Sequence, residues 1–436
     1  MADHKYRRCT ERRRHSPDLS QLHSDPLELI FKRLSLVDFH RFKAVCSSWN
    51  SIAQAYVSSS SSSSSAGSLH TPWLMLPPKQ EKDGKPSAPI RRFFNLEETR
   101  VYELKDNDDD SMTEKELGAS RCVGSSHGWL VYLDESTDLY LLNPFSKARI
   151  QLPALENLPS IVGVHRFVNG NGTRFAVDCS TGNDFESNWY SSISEFNIIA
   201  KAILSSNPFH CNSSNCRVVV LWCDKSKLAF CECGDRTWTD LDGKHQFYWD
   251  IIHHNDRLYA LSGNGSVEVW DFHQSSSFPT RTMHAKPSYP LTPVKVRPSL
   301  SKGFFSSRCY LVESSGHLLL AVRFIGESNH PLICPYRTLQ FHVFKLDFDL
   351  NKWVEVESLG DRCLFLGGNH SMSLSVGEFS SCKADSIYFT DDYWERMNAG
   401  HDIGVFNLGD KRIKPICQSG LEKMEPPPFW VVPNPW

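Results

Sequence analysis

The side chains best suited to bond-making chemistry fall between positions 210 and 254. His210, Cys211, Cys216, Cys223, Cys231 and Cys233 form a metal-like cluster. Zinc is held by thiolates and imidazoles, and its sites show cysteines paired at short, regular spacing. The Cys211–Cys216 and Cys231–Cys233 spacings fit that pattern poorly. In a strand, Cys231 and Cys233 would share one face, as core residues do. His253 and His254 lack a spaced set of Cys or carboxylate partners. The run Gly124-Ser-Ser-His-Gly128 resembles a nucleophile turn but lacks the Gly-x-Ser-x-Gly spacing. No phosphate loop is present, and no basic stripe interleaved with aromatics suits nucleic acid. The expectation is no catalytic residue, no metal ligand and no cofactor.

The remaining chemistry is apolar docking, concentrated near the N-terminus. Leu27, Ile30, Phe31 and Leu34 recur at i, i+3, i+4 and i+7, one face of a helix. Asp25 can cap that helix, with Pro26 at its first position, where a missing N–H costs nothing. Asp38 can cap a second helix carrying Phe39, Phe42, Val45 and Cys46. Ser47 or Ser48 can open a third, with Trp49, Ile52, Ala53 and Tyr56. Three short helices over residues 18–57 bury little surface alone. Apolar residues are too many for so small a core, so some must stay uncovered until another protein shelters them.

Around this segment the texture changes sharply. Residues 1–17 form a basic, disordered tail in which Arg7, Arg8, Arg12, Arg13 and Arg14 could serve nuclear import, though a solvated tail is the plainer reading. Residues 58–71 form a linker opening with the unbroken serine tract Ser58–Ser65. From residue 72 to 436 short apolar or alternating runs are separated by Gly, Asn, Asp and Ser. Arg257–Leu261, the turn Ser262–Gly265 and Ser266–Trp270 read as strand, turn, strand. Glu195–Leu204 could be a short helix or another strand. Trp238 and Trp353 each follow a polar turn and open a strand, a loose repeat typical of propeller blades. At roughly 40–50 residues per blade, this region makes about six to seven blades. A pair of β-sandwiches is the other architecture.

The bulk numbers agree with a two-part globular chain. There are 436 residues, a formal net charge of -3 and 12% aromatic residues. That balance gives no general reason to expect nucleic acid or membrane partners. No apolar run approaches the ~20 residues of a membrane helix. The expected location is cytoplasmic, nuclear or both, with the fourteen cysteines mostly reduced.

Two resemblances sharpen these expectations. Leu22, Asp25-Pro-Leu-Glu-Leu-Ile-Phe-Lys-Arg-Leu34 and Val37-Asp-Phe-His-Arg-Phe-Lys-Ala-Val-Cys-Ser-Ser-Trp49 resemble the F-box. Leu19, Leu22-His23 and Pro26 stand where that family usually carries Trp, Leu-Pro and Leu. The resemblance implies docking on the Skp-type adaptor of an SCF (Skp–cullin–F-box) ubiquitin ligase, and through it on cullin and RING subunits. The adaptor-binding residues it implies are Leu22, Pro26, Leu27, Ile30, Leu34, Phe42, Val45, Cys46 and Trp49.

Farther along, Cys122-Val-Gly-Ser-Ser-His-Gly-Trp-Leu-Val131, Leu141-Leu-Asn-Pro-Phe145 and Gln151-Leu-Pro153 are similar to plant F-box proteins with a KIB-type β-propeller. So are Leu364-Phe-Leu-Gly-Gly-Asn-His-Ser371, Ser386-Ile-Tyr-Phe-Thr-Asp-Asp392 and Pro426-Pro-Pro-Phe-Trp430. Gly128 and Gly367-Gly368 are expected at tight turns or close backbone approaches. Asn143-Pro144 is expected to start a turn, and the Pro-rich end to lie extended without continuing a strand. The implied protein is multidomain: an all-α F-box of three short helices, then an all-β propeller. Its implied role is a non-catalytic receptor that recruits a target protein. A propeller enzyme with a helical arm, or an F-box protein that sequesters its target without degradation, are the alternatives.

Overall fold

The computed structural model describes residues 23–31, 34, 36–60, 71–76, 91–104, 120–169, 172–181, 184–190, 198–209, 216–272, 279–284, 304–327, 336–377, 379, 381–392, 402–416 and 428–433. The chain divides into two compact units, Met1–Leu69 and His70–Trp436. The basic tail and most of the serine linker lie outside the described residues.

The first unit holds three helices: α1 (Ser24–Phe31), α2 (Leu36–Lys43) and α3 (Ser47–Ser60). Helix α1 begins one residue before Asp25, so Pro26 sits third rather than first. It still falls among the first four positions, whose N–H groups have no helical partner, and its ring is tolerated. Helix α3 runs three residues past position 57, into the serine tract.

The second unit is a six-bladed propeller. Its innermost strands, in ring order, are Phe429–Val431, Arg121–Ser126, Ile199–Leu204, Tyr248–His254, Phe304–Ser314 and Met372–Ser375, defining blades 1 to 6. Each touches the next around the ring from blade 1 to blade 6. Asn369 Nδ2 donates to Trp430 O at 2.6 Å, and Trp430 Nε1 donates to Leu366 O at 3.2 Å, fastening blade 6 to blade 1.

A seventh sheet exists but is no blade. Its three strands, Ile161–Asn169, Gly172–Thr181 and Asp184–Tyr190, come between blades 2 and 3 in the chain. The innermost strands of blades 2 and 3 nonetheless touch directly, so this accessory sheet stands outside the ring. Of segment 195–204, Ile199–Leu204 forms the inner strand of blade 3, and residues 195–197 lie outside the described residues.

Why these segments are strands follows from their burial. Val218 to Trp222 are all buried, because a blade is covered on both faces. Val218, Val220 and Trp222 pack toward blade 2, while Val219 and Leu221 pack toward blade 4. That is the two-residue alternation of a strand, with both faces apolar. The repeated tryptophans act alike. Trp238 Nε1 donates to Pro153 O at 3.1 Å, and Trp353 Nε1 donates to Gly265 O at 3.2 Å. Each ties its blade's outer strand to backbone of the preceding blade or its exit segment.

The C-terminus corrects one expectation. Phe429–Val431 does form a strand, paired antiparallel with Trp73–Leu76. Prolines cannot donate to a ladder, and the strand begins immediately after Pro428. The ring is thereby closed by the two ends of the propeller region. Gly128 adopts φ 82°, and Asn143 Oδ1 accepts from the N–H groups of Phe145 and Ser146, starting the expected turn. A Cβ on Gly367 would lie 2.1 Å from Thr390 Oγ1, so this glycine serves close approach.

Gly124 is tighter still, because its obstacle is backbone. A Cβ there would lie 2.1 Å from Ala202 O and 2.9 Å from its carbonyl carbon. Blades 2 and 3 meet at their inner strands only because that position carries none. Gly124→Ala is expected to destabilise the propeller by about 3 kcal/mol or more. A chemical denaturation midpoint equal to that of the unsubstituted protein would refute this.

Candidate partner-docking site

In the helical unit, Phe31 is the hub. Its ring lies 4.7 Å from Phe42, 5.4 Å from Phe39 and 5.3 Å from Tyr56, the first two edge-on. Edge-to-face packing of this kind adds to simple area burial. Leu27 and Ala53 are fully buried beside it, so all three helices contribute to one small core. Trp49 stacks on Phe42 at 4.2 Å, covering the core's edge while remaining half-buried.

The short connections fix this packing. Leu34 N–H donates to Phe31 O at 3.2 Å, ending α1. Val45 N–H donates to Phe42 O, and Asn50 N–H donates to Cys46 O, so the α2–α3 turn is only a few residues long. Arg41 and Asp38 pair at 3.0 Å, but both are well exposed, and such pairs contribute little.

The residues implied for adaptor docking separate into three groups. Leu27 and Phe42 are buried inside the unit. Leu34, Cys46 and Trp49 are half-buried. Pro26, Ile30 and Val45 are exposed, Ile30 by 40% and Val45 by 60%. Leu22 lies outside the described residues. Sequence periodicity grouped Ile30 with Leu27 and passed over Leu29, which is 65% exposed. Its signal was nevertheless present. At 100° per residue, Leu29 stands about 200° around the helix from Leu27, away from the core-facing side. An apolar residue there, in an eight-residue helix, marks a face with nothing of its own to cover it.

The propeller's buried charges are tied into its frame. Lys201 of blade 3 donates to Asp250 Oδ1 of blade 4, whose Oδ2 accepts from Leu311 N–H of blade 5 at 2.7 Å. Arg323 is fully buried. Its Nε donates to Thr338 Oγ1 at 2.8 Å, its Nη1 to Asp392 Oδ1 at 3.1 Å and Thr390 O at 3.1 Å, and its Nη2 to Asp402 Oδ2 at 2.9 Å. Asp392 also accepts from Tyr310 Oη at 2.9 Å. The two terminal nitrogens of Arg323 thus join blade 5 to blade 6, while Nε ties it to the neighbouring strand of blade 5. Burial pushes the nearby Asp391 carboxyl up to about 6, and Tyr336 donates to it.

Among the described residues, no group of three His, Cys, Asp or Glu side chains is arranged to hold a metal ion. Cys231 and Cys233 pack into the same apolar cluster between blades 2 and 3, whereas His210 and Cys211 lie outside the described residues. Burial pushes His253 down to about 4, leaving a neutral imidazole at physiological pH. No described helix is long and apolar enough to cross a membrane.

Comparison with known proteins matches both units. Residues 19–56 match the F-box domain, and residues 93–407 match the KIB1-4 beta-propeller. The chain is 25% identical to "Putative F-box protein At4g22660" of Arabidopsis thaliana over 91% of each chain. It is 26% identical to "F-box/kelch-repeat protein KIB1" of the same plant, over 89% of this chain and 80% of that one. The KIB1-4 match spans most of the sequence, the F-box match covers the helical unit that precedes it, and the similarity to the F-box proteins runs across both units: the chain is an F-box protein of the KIB1-4 β-propeller family.

Proposed function

We propose that this protein is the substrate-receptor subunit of an SCF-type ubiquitin ligase, acting in the cytosol or nucleus. The observation that carries the reading is the exposure of Leu29, Ile30 and Val45 on a helical unit whose own core is already filled by Leu27, Phe31, Phe39, Phe42, Ala53 and Tyr56. Uncovered apolar side chains in so small a unit are a docking surface for another protein. The F-box match supports a Skp-type adaptor as that protein. Covering each large aliphatic side chain would contribute ~1.5–3 kcal/mol. Leu27 and Phe42 support that surface from within, and Pro26, Leu34, Cys46 and Trp49 border it.

The receptor makes and breaks no bonds in this scheme. The propeller holds a target, the F-box holds the adaptor, and the adaptor brings cullin and RING subunits. Joining the two binding units in one chain raises the target's effective concentration near the ubiquitin-loaded enzyme. The test is affinity purification from plant cells of the intact chain and of a chain lacking residues 18–57. Cullin and RING subunits should accompany only the intact chain, while both forms retain the same propeller-bound proteins. Absence of any cullin subunit from the intact chain would remove the basis of this reading.

A further inference from the structure

The accessory sheet ends on an uncovered strand. Its strands run in the order Asp184–Tyr190, Gly172–Thr181, Ile161–Asn169, and among the described residues no further strand pairs with the last of these. An edge strand keeps a row of N–H and C=O groups free to accept another chain. Proteins guard such edges with prolines, charges or bulges. Ile161–Asn169 has one bulge, between Ile161 and Gly163, and pairs regularly from Gly163 to Asn169. It contains no proline and no acidic residue, and Arg166 is its single arginine or lysine. The opposite edge strand differs, because it carries Asp184 and Glu186.

The bulge sorts the side chains of this strand. Ile161 stands opposite Cys179 and Val164 opposite Val177, and both reach the apolar cluster between blades 2 and 3. In an unbroken strand, residues three apart would face opposite ways. Val162 is the extra residue and is 64% exposed, and Phe167, on the face turned away from that cluster, is 45% exposed. His165 shares the face of Phe167, with ring centroids 6.4 Å apart, and is held by Asp178 at 2.8 Å. The strand is thus anchored on one face, and it leaves two apolar side chains uncovered beside a free backbone edge.

We propose that this edge pairs antiparallel with the same edge of a second copy of the chain, about a two-fold axis at His165. The sequence is self-complementary in that register. Phe167 of each copy falls opposite Gly163 of the other. Glycine leaves a bare patch in a strand, and an aromatic side chain on the neighbouring strand covers it. Val164 of each copy falls opposite Arg166 of the other, so no two like charges face each other directly. An axis at Arg166 would instead set the two arginines against each other, and an axis at Val164 would leave Gly163 opposite His165. The two three-stranded sheets then continue as one, and the exposed Phe167 of each copy gains a partner. The pairing involves only the second unit and needs no adaptor.

The test is sedimentation of the full chain over a concentration series in reducing buffer, with hydrogen–deuterium exchange at each concentration. Two short strand edges make a small interface, so a monomer–dimer equilibrium with a dissociation constant of roughly 1–100 µM is expected. Amides of Ile161–Asn169 should gain protection in step with the dimer, while those of Asp184–Tyr190 should not. Phe167→Lys should raise the dissociation constant at least about tenfold, because the two-fold axis counts each lost pair twice. Its circular dichroism and denaturation midpoint should match those of the unsubstituted chain. Leu29→Asp with Val45→Asp should leave the dimer intact, which separates this edge from the helical docking surface. The proposal is overturned by a chain that stays monomeric across that range, or by a dimer that leaves exchange at Ile161–Asn169 unchanged. A dimer that survives Phe167→Lys unweakened, or that disappears in Leu29→Asp with Val45→Asp, overturns it equally.

Discussion

Replacing Leu29 and Val45 together by aspartate is expected to weaken capture of a Skp-type adaptor by at least about 100-fold while the helical unit stays folded. The two side chains are 65% and 60% exposed, so they hold little of the unit's own core together. Removing two apolar anchors costs the complex roughly 3–6 kcal/mol before any charge is buried, and each 1.4 kcal/mol is tenfold. The comparison that gives the result its meaning is Leu27→Ala. Leu27 is fully buried, so its truncation removes about 2–5 kcal/mol of stability from a unit with little to spare. That variant should lose adaptor binding together with its helical circular dichroism, whereas the double aspartate variant should lose binding alone. Equal adaptor affinity in the double variant would move the docking surface elsewhere.

Arg323→Met is expected to be the most damaging single change in the propeller that alters no glycine. The guanidinium is fully buried and is the cation facing both Asp392 and Asp402 at 2.9 to 3.1 Å. Its removal leaves two nearly buried carboxylates beside each other, with Asp391 close by, and strips Thr338 Oγ1 of its donor. Breaking a buried ion pair by deleting one partner costs about 3–5 kcal/mol, because the remaining charge stays desolvated and unpaired. The exposed Arg41–Asp38 pair offers the contrast: Asp38→Asn should shift stability by less than about 0.5 kcal/mol. Denaturant midpoints at constant slope distinguish the two. An Arg323→Met midpoint within error of the unsubstituted protein would show that the network does not hold blades 5 and 6 together.

What could be read from the residues alone follows the range of the interactions. The three helices were legible because their core is local: Leu27 and Phe31 lie one turn apart, and Phe39, Phe42, Ala53 and Tyr56 follow within thirty residues. Trp238 and Trp353 were legible as equivalent positions, and the structure gives them the same hydrogen bond to backbone of the neighbouring blade or its exit segment. The strand at Phe429–Val431 was not legible, since its partner Trp73–Leu76 lies at the other end of the propeller region. The blade number stayed at six or seven because the accessory sheet carries strand patterns like any blade. Only the contact between Arg121–Ser126 and Ile199–Leu204 excludes it from the ring.

Buried charges were the least legible feature. Lys201 in a run of apolar residues looks like an outward-facing lysine, and Arg323 looks like one more polar position in a long strand. Their partners, Asp250, Asp392 and Asp402, come 49 to 79 residues later, at distances no local pattern spans. In the helical unit the difficulty is of another kind. A repeat of i, i+3 and i+4 identifies an apolar face but not which members point inward. Leu27 and Ile30 share that repeat, yet Leu27 is fully buried and Ile30 is 40% exposed, because a short helix needs only one or two inward residues.

The most direct test is a calorimetric titration of the purified full-length chain with a plant Skp-type adaptor. A saturable one-to-one complex, with the negative heat-capacity change that accompanies burial of apolar surface, is the expected result. A folded, monomeric chain that releases no binding heat and elutes apart from the adaptor on a sizing column would contradict it.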